Sequence, residues 1–86
     1  MTDQELAQLR EELVKLRVTM KNMNWEAKRG LLVMFKSLEL LLLELDEERI
    51  ECRRKGKTSD KYIRLLKLIE DQKDQLVLYH VMGRLM

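Results

Sequence analysis

Apolar positions recur along the chain at spacings of three and four. Leu6, Leu9, Leu13, Leu16, Met20 and Met23 form one such seam. That is the stripe of a helix packing against a neighbour, just under three heptads long. Thr2 followed by Glu5 fits a capping box at its start. Glu5, Glu12, Lys15 and Arg17 flank it. The pattern predicts a first helix over about 3–22, coiled-coil-like in spacing.

The phase then changes at Lys21-Asn22-Met23-Asn24. Asparagine favours caps and turns over helix interiors. A tight turn near 22–25 explains the shift; a stutter in one continuous helix also would. The asparagines favour the turn, and Gly30 is a second candidate for a bend. The seam resumes as Leu31, Met34, Leu38, Leu41 and Leu45 in a second helix over about 25–54.

Within that helix, 11 of the 15 residues from Leu31 to Leu45 are apolar. Its polar stripe runs through Glu26, Arg29, Lys36, Glu44, Glu47 and Glu51, yet Val33 and Leu40 interrupt it. The apolar face is therefore wider than one neighbour can cover, since a helix resting on one layer needs only ~100°. Basic residues and then Gly56 suit its C-terminus. Thr58 or Ser59 suits the cap of a third helix over about 59–85.

The third helix opens with Tyr62, Leu65, Leu66 and Ile69 and then turns polar from Glu70 to Gln75. A short connection makes it antiparallel to the second. Folding the pair at about Gly56–Lys57 sets Ile69 beside Leu45, Lys73 beside Leu41 and His80 beside Met34. Polar residues then lie level with the leucine-rich stretch. Those leucines must face the first helix or another chain. The expected partner surface is Leu40, Leu41, Leu42 and Leu43, with Leu78, Met82 and Leu85 on the third helix.

The expected fold is all-α. It is an antiparallel three-helix bundle, or a helical hairpin with a coiled-coil-like N-terminal helix, in one domain spanning 1–86. The absence of proline, with three glycines and 5% aromatics among 86 residues, supports this class. A chain this short builds a modest core, and self-association is a common remedy. A homo-oligomer or another protein partner is therefore expected.

Charge adds one feature. The net charge is +2, yet residues 49–67 hold eight basic side chains against two acidic ones. Arg49, Arg53, Arg54, Lys55, Lys57, Lys61, Arg64 and Lys67 could meet phosphates, making nucleic acid the alternative partner. The patch has one interleaved aromatic, Tyr62, and no helix-turn-helix or zinc-finger pattern.

Candidate chemistry is sparse. Gly56-Lys57-Thr58-Ser59 resembles the end of a P-loop, but Glu51 stands where its first glycine belongs and no strand precedes it. Cys52 and His80 fall at opposite ends of the hairpin, so no zinc set forms, and no cofactor is expected. Asp71 with Asp74, and Glu47 with Glu51, are spaced as solvated helix faces. Leu9-Arg10-Glu11-Glu12, Asp46-x-x-Arg49 and Tyr62-Ile63 are faintly similar to pieces of the AroQ-type chorismate mutases. That family's second arginine falls at Ala27 here. The expectation is a small non-enzymatic interaction or regulatory protein, placed in the cytoplasm. Its N-terminus lacks a signal-peptide pattern, and Leu31–Leu45 is too short and too charged to span a bilayer.

Overall fold

The computed structural model describes the backbone of residues 1–85 and the side chains of residues 1–79. Three helices follow one another: α1 (Asp3–Lys21), α2 (Trp25–Lys55) and α3 (Asp60–Leu85). They make an elongated bundle measuring 47 × 20 × 20 Å. No described helix is long and apolar enough to cross a membrane.

Each helix end has a local cause. Thr2 and Glu5 close a reciprocal capping box: the Glu5 N–H donates to Thr2 Oγ1 at 3.1 Å, and the Thr2 N–H donates to Glu5 Oε1 at 3.2 Å. These hydrogen bonds hold the Glu5 carboxyl below the ordinary glutamate range, with smaller contributions from the N-terminal charge and then Lys73. Asn24 starts α2 by accepting from the Ala27 N–H at 2.9 Å. α1 and α2 are thus separate, and Gly30 lies inside α2 without ending it. Gly56 ends α2 with φ 71°, the left-handed conformation glycine adopts at least cost. Its N–H donates to the Arg53 carbonyl and the Lys57 N–H to the Cys52 carbonyl, a Schellman closure.

The core runs along all three helices. α1 buries Leu6, Leu9, Leu13 and Met20; α2 buries Leu31, Phe35, Leu38, Leu42 and Leu45; α3 buries Leu65, Ile69 and Leu76. Leu38 and Ile69 are fully enclosed. On α2 the deep positions therefore include Phe35 and Leu42, where the sequence seam ran through Met34 and Leu41. The latter two are half-buried and pack at the edge of the same core. The wide apolar face explains both sets. Phe35 and Leu42 lie beside Leu13 of α1, while Glu48 and Cys52, further along the Met34–Leu41 side, meet the start of α3. Leu31, Leu38 and Leu45 lie between the two sides.

α1 runs antiparallel to α2, as two ion pairs show. Arg10 meets Asp46 at 2.7 Å, and Arg49 meets Asp3 at 3.1 Å. All four side chains are substantially exposed, so each pair adds at most about 1 kcal/mol. The Tyr79 hydroxyl lies over Gly30, so α3 reaches the N-terminal part of α2. A Cβ at position 30 would collide with that ring, so the glycine makes room for it.

Candidate interaction surfaces

The polar clasp at the hairpin turn has the densest side-chain hydrogen bonding among the described residues. Ser59 Oγ accepts from the Tyr62 N–H at 3.1 Å and donates to Glu48 Oε1 at 2.7 Å. Cys52 Sγ accepts from the Ser59 N–H at 3.4 Å and lies 3.6 Å from Ser59 Oγ. Ser59 therefore caps α3 and ties it to two successive turns of α2. Its hydroxyl is committed to this network, and its geometry is structural.

The basic residues surround this turn, but their charge is partly spent within the chain. Arg49 pairs with Asp3, Arg54 with Glu51 at 2.7 Å, and Lys61 approaches Glu48 at 3.9 Å. Arg53, Lys55, Lys57, Arg64 and Lys67 are exposed and have no ion pair among the described residues. Sequence counting could not find the Arg49–Asp3 pairing, because the two residues lie far apart along the chain. A shallow cleft opens at the same place between Arg49, Arg53, Lys57, Thr58 and Tyr62. The Gly56-Lys57-Thr58-Ser59 segment is a helix-connecting turn with a helix on either side.

The expected leucine surface divides. Leu40 and Leu43 are exposed, at 62% and 60%. Leu42 is a correction: only 4% of it is exposed, because α1 covers that side of α2. Leu41 is half-buried against the core and offers only an edge. Leu78 is 62% exposed on α3. Met82 and Leu85, like His80, lie outside the described side chains.

The structure adds apolar positions that the heptad seams passed over. Val14 and Val18 on α1 are more than half exposed, as are Val33 and Ile50 on α2. Val14 and Leu43 share one groove between α1 and α2. Their sequence signal was present: each is an apolar residue outside its own helix's buried stripe, which a solvated face does not require. A second groove, of about 500 Å³, opens between α1 and α3. Leu9, Leu16, Leu76 and Val77 line it, while Glu5, Glu12 and Lys73 make its wall polar.

No group of three or more His, Cys, Asp or Glu among the described residues is disposed to hold a metal ion. Arg10 and Arg49, which carried part of the faint similarity to the chorismate mutases, are each held by a carboxylate of the same chain. Searches of protein-family models, curated proteins and solved structures find no match to this chain.

Proposed function

We propose that this is a non-enzymatic interaction or regulatory protein that self-associates through apolar helix faces. One observation carries the reading. Val14, Val18, Leu40 and Leu43 are aliphatic side chains, each more than half exposed on α1 and α2. A second copy would remove such residues from water.

Sedimentation velocity tests this at about 10 µM, where a complex of micromolar affinity is well populated. A dimer supports the proposal; a compact monomer overturns it. The second reading, a nucleic-acid-binding regulator, draws on the exposed and unpaired Arg53, Lys55 and Lys57 around the hairpin turn. Fluorescence anisotropy with mixed DNA and RNA at low salt tests it. Binding that survives replacement of those three residues by serine removes this reading, as does no binding at all.

A further inference from the structure

We propose that two copies of this chain associate by exchanging α1, each docking its α1 on the α2–α3 hairpin of the other. The inference rests on the self-association proposed above and places the contact on the buried face of α1. An exchange remakes between copies the contacts that the helix makes within its own chain. Leu6, Leu9 and Leu13 would enter the same apolar core, and Asp3 and Arg10 would meet the copy's Arg49 and Asp46. The connections decide which helix exchanges. α1 and α2 are joined by Asn22, Met23 and Asn24 alone. Asn22 already has right-handed helical backbone, at φ −97° and ψ 0°. Asn24 has a helical φ of −71°, and only its ψ of 160° is extended. Turning Met23 and Asn24 into helical backbone lets α1 run straight into α2. The α2–α3 turn is fastened instead, by the left-handed Gly56 and by the bonds of Ser59 to Cys52 and Glu48.

The apolar seam suits that straight helix. Met20, Met23, Ala27 and Leu31 follow spacings of three, four and four, a single stutter in one continuous stripe. In the closed chain Ala27 is exposed in the first turn of α2, where its place on the stripe covers nothing. The Asp3–Arg49 and Arg10–Asp46 pairs have their midpoints at residues 26 and 28. With α1 and α2 continuous, the two-fold axis of the exchanged pair therefore passes beside Ala27 and sets it against its own copy. So small a side chain lets the two long helices cross closely. A second copy is the fitting partner because it carries the helix that this face of the hairpin already accommodates.

Cross-linking between unlike copies tests the exchange. One variant carries Asp3→Cys and the other Arg49→Cys, both with Cys52→Ser, so that each copy holds one thiol. The two are unfolded in urea, mixed, refolded together and treated with a short bismaleimide. The concentration is one at which sedimentation velocity shows the wild-type dimer, and circular dichroism confirms helix content. Exchange predicts covalent dimers in the mixture and none in either variant alone. Replacing Asn22 and Asn24 by alanine removes the α2 cap and favours the continuous helix, so the dissociation constant should fall at least about tenfold. Three glycines inserted after Met23 let α1 fold back freely and should return the chain to monomer. A wild-type dimer whose mixed copies do not cross-link overturns the exchange and leaves self-association standing. So does a dimer that neither hinge variant shifts. A monomeric wild type overturns self-association itself, and the exchange with it.

Discussion

The two sides of α2 are closed in different ways. Towards α3 the helices are joined by enclosed Leu38, Leu45 and Ile69 and fastened at the turn by Ser59, Cys52 and Glu48. Towards α1 the contact is apolar at its centre, but its only described ion pairs lie on the rim and are half in water. α1 also faces α3 across an open groove, where Lys73 stands among Leu9, Leu16 and Leu76. The hairpin is therefore the rigid part and α1 the part that opens first. Polar residues in one helix loosen the contact of a different pair: the Glu70–Gln75 run costs the α1–α3 contact, while α2–α3 remains closed.

Truncation should expose this contrast most strongly. Leu38→Ala removes a fully enclosed side chain between both neighbours and should destabilise the chain by roughly 2–5 kcal/mol in urea unfolding. Leu13→Ala, at the edge of the α1–α2 groove, should fall at the lower end of that range. Equal losses at both sites would erase the distinction drawn here. Native-state hydrogen exchange gives a complementary measurement, with α1 amides exchanging through a smaller opening than those of α2 and α3.

Fastening comes next in size. Ser59→Ala removes the α3 cap and leaves Glu48 without its donor, and should cost about 1–2 kcal/mol. Thr2→Ala removes only the terminal cap of α1 and should cost nearer ~0.5–1 kcal/mol. A smaller effect of opposite sign is expected from Lys73→Leu. Its aliphatic side chain would line the open groove, raising stability by roughly 1 kcal/mol and slowing exchange in α1. If exchange in α1 is unchanged, Lys73 is not what keeps the groove open.

The smallest prediction concerns pH. Glu5 is fully exposed, and its carboxyl is held below the ordinary value of 4.5 by Thr2. A depressed folded-state value means that the unfolded chain takes up the proton first. The stabilisation is therefore complete above the ordinary glutamate range and is lost as pH falls through the folded value. Thr2→Ala should remove that component of the acid-unfolding profile. A profile identical to wild type would show that the box contributes nothing to it.

Local chemistry was the most legible part of the fold. The Thr2–Glu5 spacing, the asparagines before Trp25 and the Gly56 after a basic run each identify a helix end from a few neighbouring residues. The deep face of α2 was not legible. Leu31-Met34-Leu38-Leu41-Leu45 and Leu31-Phe35-Leu38-Leu42-Leu45 are both helical seams, and a run of leucines satisfies either. Which is deeper depends on the side α1 takes, which no local spacing encodes. The surface was only half legible for a similar reason. Leu40 and Leu42 look alike in a leucine run, and one is open while the other lies under α1. The basic turn shows the same limit, because charge counts ignore pairings made through space.

Cys52 turns the hairpin fastening into a measurable clock. It is the chain's sole thiol and is half-buried behind Ser59. A thiol reagent should reach it more readily each time the base of the hairpin parts. Its labelling rate would report opening of α2 from α3 without any introduced probe.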